Sequence, residues 1–222
     1  IYNSTPEEMQ EKISKAKASV STLTWDNVSK KTLSFIKDNP YKCDNNFSRI
    51  GWMTTWNQTC GIASYSRNLI NKQINEVLIF SPFNEQYSDK KEDNVFPSWE
   101  YPFDKKQDFN TLLSKISSLY ITSLVIQFNF GFFNFDNFSY LITQLYEKKV
   151  NIIIVLHSTI NPINNTSKEL KNLFNSFKLC SRILVHTISD LNRLKDIGLV
   201  DNVSLFPHGI VDVSKTHSRQ SS

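Results

Sequence analysis

The chain has 222 residues, 40% of them hydrophobic and 21% charged, with 25 Lys and Arg against 21 Asp and Glu. That is apolar material for one α/β domain with additions. The balance of +4 comes from scattered pairs such as Lys30-Lys31 and Lys148-Lys149, not from a basic stripe, which argues against a nucleic-acid surface.

The elements follow in chain order. Pro6 with Glu7, Glu8 and Glu11 behind it predicts a helix start. Thr24 or Asp26 can cap a second helix carrying Val28, Leu33 and Ile36 on one side. The polar connector DNPYKCDNNFS at 38–48 marks a boundary. Beyond it the pattern becomes strand, helix, strand, helix. Short strands are expected at 50–53, 77–80, 124–127, 150–156, 182–185 and 203–206. Helical stripes lie between them: Ile62, Tyr65, Leu69 and Ile70; Leu112, Leu113, Ile116 and Leu119; Phe138, Leu141, Ile142 and Leu145; Leu170, Leu173, Phe174 and Phe177. The last stripe is Leu191, Leu194 and Ile197, with Ser189 as cap and Gly198 as the closing glycine. Residues 82–108 read as a long polar and aromatic loop with one irregular strand. The tail 213–222 has no core pattern.

Apolar strand runs without in-out alternation imply a parallel sheet buried on both faces. Right-handed crossovers make it a Rossmann-like, doubly wound α/β sheet with an N-terminal helical segment at 1–46. Ligands in such folds gather at the carboxyl ends of strands. The chemistry is therefore expected at 57–62, 127–133, 157–159, 186–189 and 207–209.

Those stretches hold the candidates. Gly61 opens a helix after a turn, where unpaired N–H groups can meet a phosphate or sugar hydroxyl and no Cβ blocks approach. An ordinary turn glycine is the competing reading. His157, His186 and His208 each follow a strand end, and imidazole titrates near neutral pH. A metal triad is one reading of three histidines, but no His-x-His or HExxH spacing exists and no acid completes a set. One shared ligand cleft is preferred. Gln127 and Asn129 could bind polyol hydroxyls, while most phenylalanines of QFNFGFFNF should pack on a helix. No GxGxxG, GxxxxGK[ST] or GxSxG exists. Asp190 and Asp212 are isolated, without the paired spacing of a glycosidase.

Four motifs together resemble a family. WNQTCGIASYSRNL is similar to the first loop of GT-B glycosyltransferases of the retaining, group 4 type. IQFNFGFF and IIIVLHST resemble the next two strand ends. ILVHTISDLNRLKDIGLVDNVSLFPHGI resembles the end of the amino-terminal domain. The resemblance covers residues 47–212 and keeps the family's order. It implies an acceptor-side half of a two-domain cleft that transfers a hexose from a nucleotide sugar to a glycan or lipid-linked acceptor.

The same resemblance implies a role for each matching residue. His157 would contact the transferred sugar or the acceptor. Asn57, Cys60, Gly61, Ile62, Gln127, Asn129, Ser158, Thr159, His186, Ser189, His208 and Gly209 would form the substrate surface. No cofactor or metal is implied, since the departing phosphate can act as base. The implied partner is a C-terminal donor domain in the same polypeptide, without which this half is incomplete. Thr59 stands where relatives often carry a basic residue, which weakens the phosphate contact from this side.

TLTWDNV resembles the opening of a closing GT-B helix, with Thr24, Trp25 and Val28 in the motif positions. It suggests a preceding glycosyltransferase domain in a tandem protein; a plain helical extension on the sheet is the alternative. The rival functional class is a non-catalytic carbohydrate-binding module derived from such an enzyme. An NAD-type oxidoreductase lacks its fingerprint. Three cysteines (Cys43, Cys60, Cys180) without paired spacing, no leader pattern at Ile1 and no membrane-length apolar run point to the cytoplasm. A peripheral seat at the inner membrane face is compatible with that location.

Overall fold

The computed structural model describes residues 5–38, 48–71, 76–83, 85, 92–102 and 107–209. The connector at 39–47 with Cys43, Asp212 and the tail lie outside them. Helix α1 spans Pro6–Val20 and α2 spans Trp25–Asp38. Thr5 and Glu8 close α1 in a capping box. Thr24 takes the capping role expected for α2, its Oγ1 accepting from Asn27 N at 3.3 Å.

Seven strands then alternate with helices. They are β1 (Ile50–Met53), β2 (Val77–Pro82), β3 (Val95–Trp99), β4 (Ser123–Phe128), β5 (Asn151–Leu156), β6 (Arg182–Val185) and β7 (Val203–Leu205). The helices are α3 (Gly61–Ile70), α4 (Asn110–Ser118), α5 (Phe135–Glu147), α6 (Phe174–Lys178) and α7 (Ile188–Asp196). All pairings are parallel, in the order β3-β2-β1-β4-β5-β6-β7. This is a Rossmann-like doubly wound α/β fold, as the sequence pattern predicts. The irregular strand expected within 82–108 is β3, which pairs with β2 through a register shift near Ser81 and Pro82.

The expected helix at 170–177 begins differently. Short 3-10 turns at Thr166–Lys168 and Leu170–Leu173 precede a short α6. Periodicity marks the buried side of such a segment but does not separate 3-10 from α winding when only a turn or two is formed. Gly198 does close α7, at φ +93°.

The chain winds outward in both directions from β1 and β4. One face of the sheet packs under α4, α5, α6 and α7, through residues such as Leu112, Leu141, Phe177 and Leu194. The other face carries Ile50, Trp52, Val125, Ile153, Val155 and Leu184. The crossovers from β4 to β7 all lie on the first face. Over the second, α3 contributes Tyr65 and Leu69, and α2 contributes Val28 with Trp25 and Leu33 against the same cluster. Helix α2 therefore belongs to this domain's core. By contrast, α1 has no buried residue. Each fully buried Leu or Ile contributes about 1.5–3 kcal/mol relative to exposure. Central strands β4 and β5 are buried at every position, and this anchors the strand ends that form the site. Among the described residues no helix is long and apolar enough to cross a membrane.

Candidate functional site

The strand order reverses between β1 and β4, the point where such sheets leave a crevice at their carboxyl edge. A cleft of about 480 Å³ opens there, lined by Gln58, Cys60, Gly61, Ile62, Tyr65, Asn129, Phe132, His157 and His208. Its walls come from the segments after β1, β4, β5 and β7.

The first wall is the loop into α3. Cys60 caps that helix, its Sγ accepting from Ala63 N at 3.4 Å and lying 3.2 Å from Thr55 Oγ1. Gly61 is the first helical residue, and a Cβ built on it would meet nothing within 4 Å. Packing does not demand glycine here. What glycine leaves open is the approach from the cleft to the helix start. Glu85 fixes the loop from beneath. Its carboxylate accepts from Trp56 N at 2.8 Å and Asn57 N at 2.9 Å. Burial pushes the Glu85 carboxyl up, against these two hydrogen bonds and the Arg67 charge. Arg67 also donates to the Trp56 carbonyl and lies over its ring. Tyr101 donates to Gln58 Oε1 at 3.3 Å. Burial raises its phenol to about 12, so it stays protonated.

The second wall is a cluster of three imidazoles around Tyr65. The Tyr65 ring meets His157, His186 and His208 edge-on, with centroids 4.9, 5.3 and 5.2 Å away. His186 and His208 stack at 3.7 Å. One ring nitrogen of each of the three histidines lies within 4.8 Å of those of the other two. His157 Nε2 is 2.7 Å from Gln127 Oε1, so Nε2 carries the proton and Nδ1 keeps a lone pair. His186 Nδ1 donates to the Phe206 carbonyl at 2.8 Å, which leaves the lone pair on Nε2. That Nε2 is buried and, like Tyr65 Oη, Gln127 Nε2 and Trp25 Nε1, has no hydrogen-bond partner among the described residues. Burial, reinforced by the neighbouring imidazoles, lowers His157 to about 3. Burial lowers His186 to about 4, with the bond to Phe206 opposing. It also lowers His208. All three are neutral at pH 7 and present acceptors rather than positive charge.

The expected site residues separate into three groups. Cys60, Gly61, Ile62, Asn129, His157 and His208 line the cleft. Asn129 holds its own loop as well, Oδ1 accepting from Gly131 N at 2.9 Å. Gln127 and His186 sit behind the lining. Gln127, expected to bind hydroxyls directly, is only 1% exposed and orients His157 instead. Asn57, Ser158, Thr159, Ser189 and Gly209 lie outside the lining and serve the scaffold. Asn57 engages Glu85 through its N–H. Ser158 Oγ accepts from Ile160 N.

Thr159 donates to Asp190 Oδ1 at 2.5 Å and accepts from Arg193 at 2.9 Å. Burial pushes Asp190 up, but the hydroxyls of Thr159 and Thr187 and the Arg193 charge outweigh it and hold the carboxyl low. Ser189 is not the cap of α7. The helix begins two residues earlier than that cap would place it, at Ile188, and Thr187 caps it by accepting from Asp190 N. Ser189 falls inside the first turn and is exposed. Gly209 answers a packing need: a Cβ there would lie 2.7 Å from Trp25 Cδ2 and 3.2 Å from Trp25 Cα.

Of the QFNFGFFNF phenylalanines, Phe128, Phe133 and Phe135 are buried, and Phe132 reaches the cleft. Two organising residues have no signal in the local pattern. Tyr65 reads as a core position of a helical stripe. Glu85 lies 29 residues from Trp56 in a polar stretch. No family model, curated protein or solved structure matches the chain at a significant level.

Proposed function

We propose that this chain forms the acceptor-side half of a retaining GT-B glycosyltransferase. It transfers a hexose from a nucleotide sugar to a glycan or lipid-linked acceptor, with the donor domain supplied by the same polypeptide. One observation carries the reading. The cleft at the topological switch point sets an accessible helix start at Gly61 across from His157 and His208. A helix N-terminus suits the diphosphate of a sugar nucleotide. Neutral imidazoles suit hydroxyl donors, because each offers a lone pair and no charge.

In this reading the bond from the anomeric carbon to the phosphate oxygen breaks while the bond to the acceptor oxygen forms on the same face. The acceptor proton passes to the departing phosphate. The α3 N-terminus stabilises the charge that builds on that phosphate. His157 accepts from a sugar hydroxyl through Nδ1 and holds the ring for attack, with its own orientation set by Gln127. No metal is needed for these steps.

The test uses the full-length polypeptide that carries this chain. Binding of a panel of nucleotide sugars is followed by transfer assays on wild type and His157→Ala. Loss of the positioning contact is expected to lower turnover about a hundredfold. Near wild-type turnover would remove His157 from the mechanism. Binding of glycans without any transfer would favour a carbohydrate-binding module.

A further inference from the structure

The histidine cluster has an arrangement that glycosyl transfer does not require. Two of its three members have one ring nitrogen tied to a fixed acceptor, Gln127 Oε1 for His157 and the Phe206 carbonyl for His186. In both, the opposite nitrogen is the one left with a lone pair. This is the pattern of metal-binding imidazoles, whose second N–H is held by a carbonyl or carboxylate so that the ligand nitrogen points one way. His186 is only 9% exposed and its Nε2 has no partner among the described residues, so within them an acceptor is buried without compensation. Leaving such a group unmet is destabilising.

We propose that His157, His186 and His208 form a three-imidazole site for a divalent transition-metal ion of borderline softness, with zinc as the probe. The proposal does not rest on the glycosyltransferase reading, and an ion on His157 Nδ1 would take the lone pair that reading gives to a sugar hydroxyl, so the two occupants exclude one another at that atom. It stands on the approach of one ring nitrogen from each histidine to within 4.8 Å of the others, and on the two outer hydrogen bonds.

A tetrahedral zinc ion with Zn–N bonds near 2.0–2.1 Å holds its nitrogens about 3.4 Å apart. Nitrogens spread over as much as 4.8 Å reach that spacing by a small movement. His208 is the member able to move, because it is exposed whereas His186 is packed. Rotation of His208 also opens its 3.7 Å stack on His186, where two neutral rings face each other with no charge between them. The fourth position faces the cleft, since His157 and His208 line it. Three protein ligands with an open fourth place are the layout of accessible zinc sites rather than of closed structural ones. Imidazole nitrogen also disfavours calcium and magnesium, which take oxygen.

Direct titration decides the matter. The full chain, stripped with a chelator and returned to metal-free buffer at pH 7.5, is titrated with zinc against a chromophoric competitor, and with cobalt while its visible spectrum is read. One equivalent of zinc is expected, together with the intense absorption of low-symmetry cobalt on nitrogen. His208→Gln keeps the core intact and is expected to weaken zinc at least tenfold. Gln127→Leu, which removes only the outer hydrogen bond, is expected to weaken it about tenfold to a hundredfold. Cys60→Ser should bind as wild type, which places the ion on nitrogen and not on the nearby thiol. Binding at unit stoichiometry that is insensitive to His208→Gln, loss of binding in Cys60→Ser, or no binding by the folded wild type would each overturn the proposal.

Discussion

The two walls of the cleft differ in how their polar groups are satisfied. At the Gly61 wall, Cys60 caps the helix, Glu85 takes two backbone N–H groups, and Tyr101 reaches Gln58. The loop is settled by the chain itself, and only the space in front of Gly61 is open. At the histidine wall, Tyr65 Oη, Gln127 Nε2 and His186 Nε2 are buried without partners among the described residues. Buried polar atoms in native proteins are nearly always paired. The first wall is thus a frame satisfied by its own contacts, and the second carries buried acceptors and donors that no described residue satisfies. The fold affords the second wall through the packing around it, especially the α2 helix that closes over Tyr65 and Gly209.

That contrast can be broken by pH first, with the largest expected effect. His157 and His186 titrate near 3 and 4 in the folded chain against about 6.5 when unfolded. Their folded pKa values are depressed, so the stability they permit is fully present above about 6.5 and is lost as pH falls towards 4 and 3. Urea midpoints of the metal-free chain should drop steeply across that window. A flat profile would show that the histidines are not held neutral.

Trp25→Ala comes next. It strips the cover from Tyr65 and from the Gly209 backbone, and should cost about 3 kcal/mol by urea unfolding. The histidine ring resonances should shift with it; unchanged resonances would detach α2 from the site. Glu85→Gln leaves one of the two N–H groups at Trp56 and Asn57 without its carboxylate oxygen. A loss of about 1–3 kcal/mol is expected, with faster amide exchange confined to the loop after β1. Equal exchange in both proteins would show that Glu85 does not hold the loop.

The smallest effect on stability belongs to Gly61→Val. Its side chain enters open space, so unfolding should change by less than about 0.5 kcal/mol. Nucleotide-sugar affinity of the full-length polypeptide should nevertheless fall at least tenfold. A variant that binds normally would make Gly61 a turn residue and nothing more.

Much of this was legible in the residues. The apolar runs at 124–127 and 150–156 announce central parallel strands because burial on both faces leaves no room for alternation. Three histidines at strand ends could be assigned to the ligand edge by topology alone. The cap of α7 was misplaced from Thr187 to Ser189 because both are good capping residues two positions apart, and only the backbone decides which one is extended. Gln127 looked like a ligand because a polar residue at a strand end resembles one. Its burial and its hydrogen bond to His157 make it a support for that ring instead.

The sequence by itself determined the order of the strands, most of the helices and the parallel sheet, since these follow from periodicity and local turn residues. Only the tertiary structure decided that His157, His186 and His208 meet, that Glu85 reaches back to Trp56, and that Gly209 yields its space to Trp25. Those contacts join residues 22 to 184 positions apart in the chain, where no spacing rule operates and packing alone selects the neighbours.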